Sequence, residues 1–343
     1  MIRLAAILLL SLLAACDSTE ETIYHDQFIA FGTLIELSIS GISTERGARV
    51  AGEIERQFQR WHRDWHAWEP GLLTQTNAQL ATLQPFTLDP ALRPLVTEAN
   101  RLSRLSDGLF NPVLGKLIAI WGFQGNPLPA GVQPDPAAIK HWLANAPTVE
   151  DIDIEGSRIV SHNPQAAYDL GGFAKGYAVD RVIELLRGQG IENAIINAGG
   201  DLRAIGTHGN RPWRIGIRHP RREGILASID SSGDTSIFTS GDYERLFEVD
   251  GQRFHHILDP RTGYPARGTS AVTVVYSSGA VADAAATALF VAGPHDWLRI
   301  ARQMGIDRAM LVDSDGAIHM TPAMQAITRL APDVDAEVLI SGE

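Results

Sequence analysis

A single cysteine, Cys16, is present in the 343-residue chain, so no intramolecular disulfide can form. Basic charge is also short, with 29 Lys and Arg against 40 Asp and Glu and a formal charge of −11. A basic nucleic-acid footprint is therefore missing, and neither DNA nor RNA is an expected partner. Gly 32 and Pro 18 imply many turns, yet they form no collagen-like period, low-complexity tract or internal repeat. What the chain does have is apolar material: 45% hydrophobic side chains exclude intrinsic disorder and suffice for a sizeable core. The length suits one large domain or two of ordinary size.

Arg3 followed by the apolar run Leu4 to Leu13 sits where a secretory signal sits and is too short for a permanent membrane span. It ends in Leu13-Ala14-Ala15-Cys16, which resembles a bacterial lipobox. Cys16 would then be the lipidated first residue of a mature chain free of thiols, which excludes thiol chemistry. An ordinary signal peptide with an incidental cysteine is the alternative. Residues 1–15 are thus expected to be a lipoprotein signal peptide, 16–30 a polar tether, and 31–335 a single domain.

Thr33 to Ile39 has strand composition. Thr44 to Trp68 reads as a helix, with Val50, Ile54, Phe58, Trp61 and Trp65 on one face. Further helices are predicted at 91–105 and 113–121, followed by a loop from Gly125 to Pro136. Beyond Val149 short strands dominate, at 149–154, 194–198, 213–218, 244–249, 253–258 and 271–276. Helices interrupt them near 174–187, 281–292 and 295–304. Strands and helices do not alternate as a doubly wound parallel sheet requires, so the predicted class is α+β, largely antiparallel.

Four stretches could carry chemistry. In Tyr168-Asp169-Leu170-Gly171-Gly172-Phe173-Ala174-Lys175-Gly176-Tyr177 a strand is predicted to run into paired glycines and then a helix. Glycines there let the backbone approach a ligand, and a helix N-terminus favours phosphate. Lys175 in the first turn is unfavourable unless an anion accompanies it. A plain strand-to-helix turn reads equally well. Asp283 and Thr287 stand four apart on an Ala-rich helix, so their oxygens share one face and suit Mg²⁺. Alternatively Asp283 caps the helix and Thr287 bonds its own backbone. His255 and His256 end a strand before the turn Asp259-Pro260-Arg261-Thr262-Gly263, and alternation lets just one of them face a given site. His62 and His66 lie one helical turn apart, but no Glu follows His62 and no third ligand is evident, so packing explains them better than metal.

Together these stretches resemble the ApbE family of FAD:protein FMN transferases. The similarity runs from about Phe31 to Gly293 with the motifs in the family's order. They are Phe31-Gly32-Thr33, Asp107-Gly108-Leu109-Phe110-Asn111-Pro112-Val113 with Trp121-Gly122-Phe123, Asp169 to Tyr177, Asn197 to Asp201, Thr239 to Tyr243, His256 to Gly263, and Ala282-Asp283 with Thr287. The resemblance implies a T-fold-like domain of antiparallel sheets backed by helices. It also implies Mg²⁺-dependent transfer of the FMN half of FAD to a Ser or Thr hydroxyl of a target protein, with release of AMP.

By the same resemblance, Gly172, Asp283 and Thr287 would hold the metal. Lys175 would meet the pyrophosphate, and His256 would help deprotonate the acceptor hydroxyl. Phe31, Trp68, Leu109, Phe110, Asn111, Asp169 and Ile257 would contact FAD. Asn111 stands where the family has Asp, Val113 where it has Thr, Phe31 where it has Met, and Trp68 where Tyr is common. The implied partner is an exported or membrane redox subunit with a Ser/Thr flavinylation motif, met on the periplasmic face of the inner membrane. The pattern Asp-x-Ser/Thr-Gly-Ala-Ser/Thr is missing from this chain, which argues against self-flavinylation. Two other readings keep the same residues: hydrolysis of FAD to FMN and AMP, or a lipoprotein that binds flavin without chemistry.

Overall fold

The computed structural model describes residues 23–125, 128 and 132–341, so the signal-like segment and Cys16 lie outside the described residues. In chain order the first half holds β1 (Ile23–Ala30), β2 (Thr33–Ser40), α1 (Thr44–Asp64), α2 (Leu72–Leu80), β3 (Phe86–Thr87), α3 (Arg93–Leu105), α4 (Gly115–Ile120), α5 (Pro136–Leu143), β4 (Ile152–Glu155) and β5 (Arg158–Ser161). The middle holds α6 (Ala174–Gly188), β6 (Ala194–Ala198), β7 (Asp201–Ile205), β8 (Trp213–Arg218), β9 (Ile225–Ser231), β10 (Thr235–Gly241), β11 (Leu246–Val249) and β12 (Gln252–His255). It closes with β13 (Thr269–Tyr276), α7 (Gly279–Gln303), β14 (Ala309–Asp313), β15 (Ile318–Met320), α8 (Pro322–Gln325), β16 (Thr328–Leu330) and β17 (Val338–Ile340).

A nine-stranded sheet in the order β1-β2-β6-β7-β10-β13-β14-β15-β17 is the frame. Among the described strands only β15 and β17 pair in parallel, so the α+β, largely antiparallel class holds. Helices α1, α3, α6 and α7 pack with one face of this sheet around the main core, which includes Ile35, Leu37, Phe58, Val182 and Leu289. The opposite face of the central strands packs on the small sheet β16-β9-β8 through Leu202, Ile237, Met310, Ile215 and Ile229. A third cluster joins α4 and α5 to the β11–β12 hairpin around Trp121, Trp142, Phe247 and Phe254.

Several predicted elements change. Residues 23–30, expected in the tether, form β1 and pair along their full length with β2, because Phe28 and Ala30 face the core. No strand precedes the paired glycines. Residues 166–170 instead run beside 112–115 through main-chain bonds from Asp169 N to Pro112 and from Gly115 N to Ala167, both 2.8 Å, while Asn77 accepts from Tyr168 N at 2.7 Å and donates to its carbonyl at 2.8 Å. Residues 149–151 make a 3₁₀ turn before β4. The two helices predicted on either side of Gly293-Pro294 are both present within α7, separated at Gly293, whose φ of 73° is not helical.

Strand β7 escaped prediction because its charges are buried and paired. Arg203 meets Asp234 at 2.8 Å and Asp180 at 2.5 Å. Asp180, on α6, also accepts from Ser278 Oγ (2.7 Å), Gly279 N (2.7 Å) and Ala280 N (3.1 Å), placing a carboxylate at the N-terminus of α7. Asp180→Ala should lower stability by about 3 kcal/mol, the scale for a buried charged hydrogen-bond set. A urea midpoint unchanged from wild type would contradict this.

Candidate functional site

Helix α7 is built of small residues, which lets α6 approach closely. A Cβ on Gly176 would collide with the Gly279 carbonyl and lie 2.8 Å from Asp283 Cβ, so glycine is required by contact. That approach brings the Gly176 N–H to Asp283 Oδ2 at 2.9 Å, across 107 residues of sequence. One turn on, the Thr287 hydroxyl lies 3.2 Å from Ser240 Oγ on β10. A Cβ on Gly172 would sit 2.9 Å from Thr287 Oγ1, so the Gly172 main chain runs directly past that hydroxyl. Asp283, Thr287 and Gly172 are thus brought together, and neither alternative for the α7 residues survives. Ser278 caps the helix, Asp283 lies inside it, and Thr287 turns to Ser240.

The donors suit a hard cation. Asp283 is 5% exposed, its Oδ1 makes no hydrogen bond among the described residues, and a hydroxyl and a main chain stand beside it. Burial pushes its carboxyl well above the usual range, Lys175 opposes this, and Asp201 adds to it. A divalent cation would supply the missing counter-charge. Among the described residues no group of three or more His, Cys, Asp or Glu could hold a metal alone. One carboxylate with two neutral oxygens leaves positions for water and substrate phosphate, the usual arrangement for Mg²⁺.

Lys175 has a partner that the sequence reading did not supply. Its ammonium forms an ion pair with Asp201 at the start of β7, and Asp201 Oδ1 accepts from Thr239 N at 2.9 Å. Burial works against the lysine charge, but Asp201 and Asp283 outweigh it and hold Lys175 protonated. The cation in the first turn of α6 is therefore offset by β7 without any ligand, while its side chain stays 29% exposed towards the site.

His255 and His256 point different ways, although β12 ends at His255 and not at 258 as predicted. His255 points into the core, bonding the Ala266 carbonyl at 2.9 Å and standing edge-on to Phe290. His256 turns the other way, and its Nδ1 is buried with no partner among the described residues. Burial first, then the charges of His255, Lys175 and Arg245, lower its pKa to about 3. The ring is neutral at physiological pH. Asp169 carries a second orphan: Oδ1 accepts from Gly171 N at 2.9 Å, while Oδ2 is buried with no partner among the described residues. Arg245, absent from the sequence-based set, donates to the Phe123 and Gly125 carbonyls at 3.0 Å, and its charge reaches both Asp169 and His256.

The remaining predicted contacts are more structural than expected. Leu109 and Phe110 are buried, with Phe110 against Phe173, and they form the wall behind the glycine loop. Asn111 spends its amide on the Pro147 carbonyl (2.9 Å) and its oxygen on Val113 N (3.0 Å). Ile257 is buried in the main core, its N–H towards His255 Nδ1 and its carbonyl bonded by Ala266. Phe31 stacks on Trp65 at 6.0 Å, and Trp65 meets Tyr177 just after Lys175. Its φ of 51° places a bulky residue in the left-handed region, a strained state that functional sites often hold. Trp68 is largely exposed and lies edge-on to His66.

Residues 31–310 match the ApbE family. The chain belongs to that family. It is 42% identical over 301 residues to a Rhodobacter capsulatus protein named FAD:protein FMN transferase, covering 88% of this chain and 57% of that longer protein. A Vibrio cholerae protein of the same name is 31% identical over 318 residues, covering 91% of this chain and 94% of that one. Among solved structures, an ApbE protein from Thermotoga maritima superposes with a TM-score of 0.81 at 32% identity, covering 90% of this chain and 100% of that one. The flavin transferase ApbE from Vibrio cholerae gives 0.78 at 29% identity, covering 90% and 99%. These likenesses place the ApbE motifs of this chain on the ApbE fold.

Proposed function

We propose that the chain is an FAD:protein FMN transferase that moves the FMN half of FAD onto a Ser or Thr hydroxyl of a target protein. The observation that carries this reading is the convergence of Asp283, Thr287 and the Gly172 main chain beside the Lys175–Asp201 pair. A bond forms between the acceptor oxygen and the FMN phosphorus while the pyrophosphate bond to AMP breaks. The hydroxyl proton passes to His256, whose Nδ1 has no partner among the described residues. Mg²⁺ on Asp283, Thr287 and Gly172 would neutralise charge developing on the pyrophosphate. Lys175, fixed by Asp201, would offer its remaining ammonium N–H groups to the same phosphates. Asp169 Oδ2 and the Phe31–Trp65 stack are available to orient FAD.

The expected acceptor is an exported or membrane redox subunit, met at the periplasmic face of the inner membrane. Cys16 after Leu13-Ala14-Ala15 supports a lipid anchor there. Among the described residues no helix is long and apolar enough to cross a membrane. The direct test is mass spectrometry of an acceptor fragment incubated with FAD, Mg²⁺ and protein starting after Cys16. A gain of one FMN that EDTA abolishes is the expected result. Release of FMN and AMP without any gain would instead favour hydrolysis.

His256→Ala should slow transfer about 10²–10⁴-fold while FAD still binds, the usual contribution of a positioned base. The wild-type rate should not fall between pH 8 and pH 5 through this group, because its value is lowered from 6.5 to about 3. The same shift has a stability consequence of definite sign. As pH falls below 6.5 the unfolded chain takes up the proton first, so this group's contribution is full above 6.5 and is lost towards 3. An acid limb near pH 6.5 that disappears in His256→Ala would show a solvent-exposed base and contradict the burial.

A further inference from the structure

Arg245 immediately precedes β11, and His256 immediately follows β12. The ladder of this hairpin ends at the pair Leu246–His255, so the next opposed pair is Arg245 and His256. Their main chains stay joined there, with His256 N donating to the Arg245 carbonyl at 3.0 Å. The two side chains also share a third residue. Arg245 Nη2 donates to the Phe123 carbonyl, and the Phe123 ring meets the His256 imidazole edge-on at 6.5 Å. Phe123 is itself buried against Phe247 in the cluster of α4 and α5, so packing fixes the platform under the guanidinium. The Arg245 charge is felt at both His256 and Asp169, each of which holds a buried side-chain atom with no partner among the described residues. The guanidinium therefore stands beside the base, within the site.

What this guanidinium lacks is a counter-ion. Nη2 is spent on the Phe123 and Gly125 carbonyls, both at 3.0 Å. Among the described residues Nε and Nη1 have no hydrogen-bond partner, neither is sealed from solvent, and Arg245 forms no ion pair. Carbonyls orient a guanidinium without neutralising it, and its unspent donors suit the oxygens of an anion. Lys175 does not meet the same need. Its ammonium is already paired with Asp201, and the carboxylates of Asp201, Asp283 and Glu244 all act on its single charge. Little of that charge is left over for a phosphate, whereas the charge on Arg245 is held in place and unpaired.

We propose that Arg245 is a further catalytic residue, whose Nε and Nη1 donors bind a non-bridging oxygen of the FMN phosphate as the acceptor oxygen attacks it. This rests on the FMN-transfer reading, in which His256 meets the attacking hydroxyl, so that the phosphorus under attack lies one bond beyond. Arg245 gains and loses no proton; it holds the charge spread over the phosphoryl oxygens. The test reads the ratio of FMN to riboflavin affinity at fixed Mg²⁺, for protein starting after Cys16. Riboflavin lacks the phosphate, and a damaged fold would weaken both ligands alike and leave the ratio unchanged. Arg245→Gln keeps an amide donor for the Phe123 and Gly125 carbonyls but removes the charge. It should lower the ratio about tenfold or more, the scale of a lost charged hydrogen bond, and slow transfer from FAD by about 10²-fold or more. Arg245→Lys should restore most of the ratio through its charge, and AMP affinity should be the same in all three proteins. An unchanged ratio in Arg245→Gln would overturn the phosphate contact, as would wild type binding FMN no tighter than riboflavin. So would a raised acceptor KM at an unchanged ratio, which would give the arginine to the acceptor protein. Flavin binding needs no acceptor, so whether wild type transfers FMN at all judges the functional reading separately.

Discussion

Asp283→Asn should abolish FMN transfer, by at least about 10³-fold, and leave a folded, soluble protein. Asparagine keeps the shape of the side chain and an oxygen that can accept from Gly176 N, now at 2.9 Å from Asp283. It removes the one carboxylate that stands with the Thr287 hydroxyl and the Gly172 main chain. Loss of a cation that neutralises a pyrophosphate leaving group costs several kcal/mol of transition-state stabilisation, hence the size of the effect. The urea midpoint should stay near or above that of wild type, because an uncharged group relieves a carboxyl that burial already pushes up. The measurement is acceptor mass gain across a Mg²⁺ titration. Wild-type transfer by Asp283→Asn at the wild-type Mg²⁺ concentration would remove the metal from Asp283.

Gly176→Ala is expected to damage both fold and activity through one methyl group. Its Cβ would meet the Gly279 carbonyl on one side and lie 2.8 Å from Asp283 Cβ on the other, so α6 and α7 must separate. Over-packing of this kind costs typically about 1–3 kcal/mol, and backbone leaves less room to yield than a flexible side chain. The same separation pulls Asp283 from Gly176 N, and a displacement of about 1 Å at a site can cost about 10²-fold in rate. Gly188→Ala on the same helix is the control, since its Cβ would meet nothing within 4 Å. Helix propensity makes that change neutral or slightly favourable. Equal melting temperatures and transfer rates for the two variants would show that α6 and α7 do not need their close approach.

Most of the helical frame was legible in the sequence because its signals are local. The apolar positions Val50, Ile54 and Phe58 recur with helical period and are buried in α1 as that period requires. Gly293-Pro294 marked the break in α7 by backbone chemistry alone. Strands β7 and β10 were not legible. β7 carries Asp201 and Arg203, and β10 is rich in Thr and Ser, so neither looks like the centre of a sheet. They lie there because each polar group has a distant partner, as Arg203 does in Asp180 and Asp234. Strand β1 was lost to the tether for a related reason: its outward half is polar and its core face shows once β2 is beside it.

At the site, the sequence by itself determined which atoms are on offer. The four-residue spacing of Asp283 and Thr287 puts two hard oxygens on one helix face, and paired glycines open the backbone before α6. It also suggested that just one of His255 and His256 faces a given site, by the period of two of the strand predicted there. Tertiary structure decided what those atoms meet. The β6–β7 hairpin brings Asp201 to Lys175, and the α6–α7 approach brings Gly176 to Asp283. The core takes His255 and leaves His256 Nδ1 without a partner among the described residues. The division has a physical origin. Periodicity and residue chemistry act over one or two turns of chain, whereas the partner of a buried charge is set by sheet order and helix packing. In this protein those bring together residues more than a hundred positions apart.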